Sequence, residues 1–242
     1  MADSADGGAS RVALVRILSV THGPTVPGGV FDEVVEASGH ELERWVVPLG
    51  GSAQPASSYD ALMVFGGSMH PDQDEQFGWL EREAEVLQEA LAEEVPVLGV
   101  CLGAQMLARA AGAWVGPARE PEVGWFEVAL TTEGRRDPVL GVLPPLIEAF
   151  QWHHYTFEIP GGGTELARSE ACTQAFRFGA RAWGIQFHAE ATFEMIQTWA
   201  TEDPDDLPVA PEEFLAVTRA RIAGWNESGR AICGAFLQTA MT

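Results

Sequence analysis

Short apolar runs alternate with longer amphipathic stretches through the first half of the chain. Four apolar runs predict buried strands: Arg11–Val20, Trp45–Val47, Asp60–Phe65 and Val95–Val100. Three stretches between or after them predict helices: Val30–Ser38, Glu75–Glu94 and Leu102–Ala111. The helix over 75–94 has the clearest pattern, because apolar residues recur at helical spacing on one face and acidic residues occupy the other. This alternation predicts a three-layer α/β fold with a mostly parallel central sheet and helices on both faces.

The second half of the chain has a different pattern. Strand-like runs follow one another with turn residues between them: Glu127–Leu130, Ile147–Phe150, Ala175–Phe178 and Ala182–Phe187. Two helices are predicted near the end, Thr192–Thr201 and Glu212–Leu237, joined by a loop over Asp203–Pro211. No repeat or linker divides the 242 residues. We expect one domain over residues 11–242, preceded by a disordered tail over residues 1–10.

Charge and composition restrict the possible partners. The chain has 35 acidic and 14 basic residues and a formal net charge of −21. An acidic surface repels phosphate backbones, so we expect no nucleic acid partner. All the basic residues are arginine, which excludes a Schiff-base lysine and the lysine of a phosphate-binding loop. No apolar run reaches the ~18–20 residues of a membrane span, and the acidic start does not resemble a secretory signal. We therefore expect a cytoplasmic protein with no membrane partner.

The chain has three widely spaced cysteines, Cys101, Cys172 and Cys233. Their number is odd and no CxxC pair occurs, so neither a disulfide framework nor a structural zinc site is indicated. Two roles then remain open for Cys101, those of a buried core residue and of a nucleophile.

Cys101 stands between two glycines in the sequence GVCLG, after a predicted strand and before a predicted helix. A sharp turn that projects a nucleophile needs such small neighbours, because its backbone is strained. The helix amino terminus would also favour the thiolate, which is the reactive form of cysteine. This context favours a nucleophile without excluding a structural cysteine.

A thiolate nucleophile needs a base, and the base needs a group that orients it. Among the six histidines, His188 stands out because it ends an apolar strand in the sequence QFHAE. Glu190 is two residues further on, so in extended backbone both side chains point to the same side. The glycines at 66 and 67 follow another predicted strand and could supply a backbone N–H to an oxyanion, as could Leu102.

Together, GVCLGAQ, QFHAE and the preceding glycine pair resemble the class I glutamine amidotransferase family. Further pieces resemble its stand-alone members related to the glutaminase domain of GMP synthetase: GGSM at 66–69, GWL at 78–80, EVGW at 122–125 and QWH at 151–153. The similarity runs from about Val12 to about Thr201. It implies the flavodoxin-like fold of that family and the hydrolysis of the side-chain amide of glutamine, with release of ammonia.

Carried over residue by residue, the resemblance implies a Cys–His–Glu triad. Cys101 would be the nucleophile, His188 the base and Glu190 its orienter. The N–H groups of Gly67 and Leu102 would form the oxyanion hole. We expect no cofactor.

The resemblance also suggests where the substrate binds. Gln105, one helical turn after the cysteine, would contact the glutamine. Many relatives have WHGD where this chain has WHHY at 152–155, in a loop that helps to hold the amino-acid end of the substrate. His154 and Tyr155 are therefore candidate substrate-binding residues, and they leave the identity of the substrate open. His153 and His154 could instead pack in the loop or bind a metal; because no third ligand is evident, we expect no metal site.

Several functions remain in competition. The leading one is a glutaminase, either free or feeding ammonia to a synthetase on a separate polypeptide. A γ-glutamyl peptidase or hydrolase would use the same triad on a different amine. A cysteine α/β-hydrolase also has G-x-C-x-G, but it places the acid before the histidine in chain order. A non-catalytic regulatory subunit would have no use for the triad.

Overall fold

In the computed structural model, which describes residues 14–242, nine strands form one sheet and five α-helices pack against it. The strands are β1 (Arg16–Thr21), β2 (Glu41–Val46), β3 (Ala61–Val64), β4 (Val97–Val100), β5 (Val115–Leu130), β6 (Leu146–Phe157), β7 (Thr164–Arg168), β8 (Thr173–Phe178) and β9 (Ala182–Ile185). The helices are α1 (Gly29–Ala37), α2 (Trp79–Ala92), α3 (Leu102–Ala110), α4 (Phe193–Glu202) and α5 (Pro211–Ala240).

The strand order is β2-β1-β3-β4-β9-β8-β7-β5-β6. Strands β2, β1, β3, β4 and β9 run parallel, and the strands from β9 to β6 pair antiparallel. The parallel half thus contains every strand of the region where strands and helices alternate in the sequence. The antiparallel extension comes from the middle of the chain, where strands follow one another without helices.

Each face of the sheet carries its own apolar core. Ile17 of β1 packs in the core that includes α1, α4 and α5, whereas the next residue, Leu18, packs in the core that includes α2 and α3. Successive side chains of a strand point to opposite faces, so a run without polar residues is buried on both sides. The three-layer fold predicted from the sequence is confirmed.

Some element boundaries differ from those predicted. Helix α2 begins at Trp79 rather than Glu75, because residues 75–78 form turns. Strands β5 and β6 are far longer than predicted, and the short, polar β7 was not predicted. Residues 1–10, predicted as a disordered tail, lie outside the described residues, as do the first three residues of the predicted strand 11–20.

The segment at 152–155 was predicted as a loop, and that prediction is wrong, because these residues belong to β6. His153 pairs with Glu122 of β5, and Tyr155 pairs with Pro117 across an irregularity in the ladder. The polar side chains resemble a loop in composition, but pairing with β5 holds the backbone extended. His154 and Tyr155 therefore lie on a paired strand.

The carboxyl ends of the parallel strands meet at one edge of the sheet. His22 follows β1, Gly66 follows β3, Cys101 follows β4, and the segment containing His188 follows β9. In open α/β sheets this edge is where ligands bind. None of the helices within residues 14–242 is both long and apolar enough to cross a membrane.

Candidate active site

Cys101 lies in a strained turn between β4 and α3. Its φ is +53° and its ψ is −111°, a conformation that few residues other than glycine adopt. A Cβ added to Gly99 would lie 2.5 Å from the carbonyl oxygen of Gly103, and one added to Gly103 would lie 2.0 Å from that of Val64. The expected sharp turn with obligatory glycines on both sides is therefore confirmed.

His188 lies between Glu190 and Cys101. Its Nδ1 is 2.8 Å from Oε1 of Glu190, and its ring lines the same cavity as Cys101, whose thiol donates to the carbonyl of Trp152 at 3.8 Å. Burial alone would lower the pKa of His188, but the charges of Glu190 and Cys101 outweigh burial and raise it well above the usual value. The protonated ring is thus stabilised next to the sulfur.

The segment that carries His188 is held by hydrogen bonds from other elements. The N–H of His188 donates to the carbonyl of Phe150 in β6 at 2.9 Å. The indole of Trp225 in α5 donates to the carbonyl of His188 at 2.7 Å. The N–H of Val30 in α1 donates to the carbonyl of Glu190 at 2.9 Å. Three elements therefore fix the position of this segment.

Two backbone N–H groups near Cys101 find no acceptor among residues 14–242. Within residues 14–242, neither the N–H of Gly67 nor that of Leu102 donates a hydrogen bond. Leu102 is the first residue of α3, where N–H groups have no acceptor inside the helix. The N–H of Gly103 donates at 3.1 Å to the carbonyl of Phe65, the residue directly after β3, and so links the start of α3 to the end of that strand.

Two cavities meet at Cys101. The larger, about 350 Å³, includes the predicted substrate-binding residues Gln105, His154 and Tyr155. The smaller, about 250 Å³, is lined by His188 together with a different set of residues, including Thr25, Val26, Trp199 and Glu202. Gly67, Ser68, Trp152 and Asp203 line both cavities.

The predicted substrate-binding residues already have partners of their own. The side-chain amide of Gln105 donates to the carbonyl of Tyr155 at 2.9 Å and to Oε1 of Gln186 at 3.2 Å. Nε2 of His154 is 3.5 Å from Oδ1 of Asp206. The ring of Tyr155 stacks on His70 with centroids 3.9 Å apart. Asp206 was not predicted to line the site, and it comes from the turn after α4.

His22 and its partner Glu83 were not predicted as residues of the site. Both side chains are buried, and Nε2 of His22 is 2.7 Å from Oε2 of Glu83. His22 lines the smaller cavity. His22 directly follows β1, at the edge of the sheet where Cys101 also lies, and this position could have identified it as a site residue from the sequence. Glu83 could not be found in this way, because it lies 61 residues further along the chain, in α2.

No third metal ligand was evident from the sequence, but two residues that could bind a metal, Glu122 and Cys172, lie next to His153. Donor atoms of His153, Glu122 and Cys172 lie within 4.8 Å of one another. These groups already bond to one another: Nε2 of His153 is 3.1 Å from Glu122, and Gln174 donates to the same carboxylate oxygen at 2.6 Å. Burial raises the pKa of Cys172 to about 11, so the thiol keeps its proton. This geometry describes a hydrogen-bonded cluster that joins β5, β6 and β8.

The model of the class-I glutamine amidotransferase family matches residues 34–198. The glutamine amidotransferase-like protein YfeJ of Salmonella typhimurium is 28% identical over 218 residues, which cover 88% of this chain and 91% of that protein. A glutamine-hydrolysing GMP synthase subunit from Sulfurisphaera tokodaii is 35% identical over 54% of this chain and 68% of that protein. A gamma-glutamyl-L-1-hydroxyisopropylamide hydrolase of a Pseudomonas species is 30% identical over 56% of this chain and 48% of the hydrolase.

Similarity also extends to a solved structure. The crystal structure of a glutamine amidotransferase from Thermotoga maritima matches with a TM-score of 0.85 and 26% identity, covering 95% of this chain and 99% of that one. The family model covers more than half of the chain, and it spans the cysteine turn and the segment containing His188. The chain belongs to the class I glutamine amidotransferase family.

Proposed function

We propose that this chain hydrolyses the side-chain amide of glutamine through a γ-glutamyl thioester and releases ammonia. The observation that carries the proposal is the position of His188, whose Nδ1 is 2.8 Å from Glu190 and whose ring lines the same cavity as Cys101. A nucleophile, a base and an orienting carboxylate in this relation are what acyl transfer requires.

In this reaction the proton of the Cys101 thiol passes to His188, whose protonated form is favoured here, and Sγ then attacks the γ-carbonyl carbon as a thiolate. Glu190 holds the ring and stabilises its positive charge. The N–H groups of Gly67 and Leu102 donate to the oxygen that becomes negative in the tetrahedral intermediate. The C–N bond then breaks, His188 gives its proton to the leaving ammonia, and water hydrolyses the thioester to glutamate.

We propose that the glutamyl group binds in the larger cavity. Gln105, His154 and Tyr155 line it, together with Asp203 and Asp206. An α-ammonium group would find carboxylates there, although the family aspartate is replaced by Tyr155. The side-chain NH2 group of Gln105 already donates to a carbonyl within the protein. Gln105 would therefore contribute to substrate binding through its side-chain carbonyl oxygen or through the backbone that it supports.

The smaller cavity favours a second candidate, the hydrolysis of γ-glutamyl amides with larger amines. Ammonia needs little space, yet Thr25, Val26 and Trp199 enclose about 250 Å³ next to Cys101. The Pseudomonas relative is named as a hydrolase of a γ-glutamyl amide. The reaction would be the same, with an organic amine leaving in place of ammonia.

A separate synthetase that accepts the ammonia is part of the proposal for the glutaminase. The Sulfurisphaera relative, named as one component of a glutamine-hydrolysing GMP synthase, supports a partner of this kind. A cytoplasmic location, a single domain over residues 11–242 and the absence of a bound cofactor are further parts of the proposal.

The test is to incubate the purified protein with glutamine and with a set of γ-glutamyl amides, and to measure ammonia, free amine and glutamate. Cys101→Ala serves as the negative control. Cysteine-dependent release of ammonia from glutamine supports the glutaminase, whereas release of amine with little ammonia supports the second candidate. Equal release by wild type and Cys101→Ala would reject both.

The variant His154→Gly with Tyr155→Asp restores the common family pattern. A charge-assisted hydrogen bond contributes about 1.5–3 kcal/mol, so the KM for glutamine should fall about tenfold or more if Tyr155 weakens binding of the ammonium group. An unchanged KM would reject this role for the two residues.

A further inference from the structure

A buried pair of side chains, His22 and Glu83, lies directly behind the glycine segment that follows β3. Nδ1 of His22 is 2.9 Å from the carbonyl oxygen of Gly66, and its Nε2 is 2.7 Å from Glu83. Trp79 stacks on the imidazole with centroids 5.4 Å apart and thereby closes one side of it. A Cβ added to Gly67 would lie 2.9 Å from Cβ of His22, so the His22 side chain and the glycine segment are in close contact.

Both ring nitrogens of His22 face acceptors, a carbonyl and a carboxylate. An imidazolium satisfies both acceptors at once, whereas a neutral ring can donate to only one of them. Burial opposes a charge on His22, but Glu83 and the backbone carbonyls outweigh it, and the pKa is raised above its usual value. The ring is thus held as a donor towards Gly66.

The direction of that bond sets the orientation of the next N–H. The peptide unit between Gly66 and Gly67 is planar and trans, so its C=O and its N–H point in opposite directions. Fixing the Gly66 oxygen towards His22 turns the N–H of Gly67 away from His22. Glycine pairs can flip their peptide plane at low cost, so this segment needs an external restraint.

We propose that His22, supported by Glu83, is a positioning residue that holds the Gly66–Gly67 peptide in the orientation needed for the oxyanion hole. The inference rests on the proposed function, because it assigns the N–H of Gly67 to the developing oxyanion. It goes beyond that function by naming two residues outside the triad on which transition-state stabilisation depends.

A purely stabilising role explains the pair less well. Oε1 of Glu83 is buried without a hydrogen-bond partner within the described residues. Burying two charges costs desolvation, and an apolar pair of similar volume is often as stable or more stable. The desolvation cost of burying a carboxylate and an imidazolium here is explained if the protein needs a fixed hydrogen-bond donor facing the carbonyl of Gly66.

The experiment compares three proteins in which the buried charge is first removed. Glu83→Gln is the reference, since its amide can donate to Nε2 while the neutral ring still donates from Nδ1 to Gly66. His22→Asn in that background keeps a donor near the position of Nδ1. His22→Gln places its donor near Nε2 instead and leaves Gly66 without one. His40→Gln, at the opposite edge of the sheet, controls for loss of a histidine.

We expect the His22→Gln protein to lose about tenfold to a hundredfold in kcat relative to the reference, with little change in KM, because only the transition state uses the oxyanion N–H. The His22→Asn protein should recover most of this loss. The rate at which iodoacetamide alkylates Cys101, followed by peptide mapping, should be equal in all of them, since this displacement forms no oxyanion.

Equal kcat in the His22→Gln and His22→Asn proteins would overturn the inference while leaving the glutaminase intact. A parallel fall in kcat and in the alkylation rate would also overturn it, because the triad itself would then be disturbed. If the wild-type protein shows no turnover that depends on Cys101, the proposed function fails. That measurement does not depend on the His22 variants.

Discussion

The thiol of Cys101 is the group on which the proposed chemistry depends most directly. Replacing Cys101 by Ser or Ala should lower kcat by about three orders of magnitude or more, because the thioester does not form. The matched control is Cys172→Ser, since burial keeps that thiol protonated and it lies outside both cavities. A folded Cys172→Ser protein that is inactive beside an active Cys101→Ala protein would refute the assignment.

His188 and Glu190 should differ in their sensitivity to substitution. His188→Ala should be as damaging as the loss of Cys101, because members of a triad act as a unit. Glu190→Gln should be milder, since an amide still orients the ring but stabilises the imidazolium less. Steady-state rates measured on folded proteins check this order. A fully active Glu190→Gln protein would mean that Glu190 does not orient His188, and the roles assigned to Cys101 and His188 would be unaffected.

The ionisation of His22 predicts a pH dependence of stability. Its pKa is raised in the folded protein from a usual value of 6.5. The stabilisation is therefore complete below pH 6.5 and is lost as the pH rises through the folded value, by up to about 1.4 kcal/mol per pH unit. The double variant His22→Asn with Glu83→Gln should show a shallower fall in the free energy of unfolding. Urea titrations from pH 6 upwards measure both slopes, and parallel slopes would contradict this account.

Among the elements, α5 offers a matched test of how the segment with His188 is supported. A Cβ on Gly229 would lie 2.0 Å from the carbonyl oxygen of Ala189, whereas one on Gly224 of the same helix meets no atom within 4 Å. Gly224→Ala should therefore stabilise the protein by about 0.5–1 kcal/mol through helix propensity and leave turnover unchanged.

Gly229→Ala should destabilise the protein and lower kcat, since backbone next to His188 must move. Denaturant unfolding and steady-state rates of the two alanine variants measure the difference. Equal behaviour of the two variants would mean that α5 only packs against the sheet and does not position the segment containing His188.

The elements that could be read from the sequence are those with strong local patterns. Strand β4 and helix α3 follow from an apolar run and a helical stretch with small residues between them, and the strained turn at Cys101 follows from its glycines. Strand β7 could not be read, because TELAR is short and partly polar. The strand at 152–155 and the pair of His22 with Glu83 depend on partners distant in the chain, which local periodicity does not encode.

For the whole molecule, the charge imbalance predicts a response to salt. With 35 acidic and 14 basic residues, the folded protein is subject to net self-repulsion, which ions screen. The melting temperature should rise when NaCl is increased from about 20 mM to about 500 mM, where the Debye length becomes shorter than typical spacings between charges. Differential scanning calorimetry at constant pH measures the shift. A fall would mean that attractive pairs such as Arg16 with Glu43 outweigh the repulsion.

The contacts of α5 have a consequence for the time at which activity can arise. The indole of Trp225 and the backbone at Gly229 hold the segment with His188, yet they follow every other described element in the order of synthesis. A ribosome therefore completes the cysteine turn long before it completes the helix that contacts the segment with His188. We therefore expect the proposed hydrolysis of glutamine to begin only after α5 has emerged and docked.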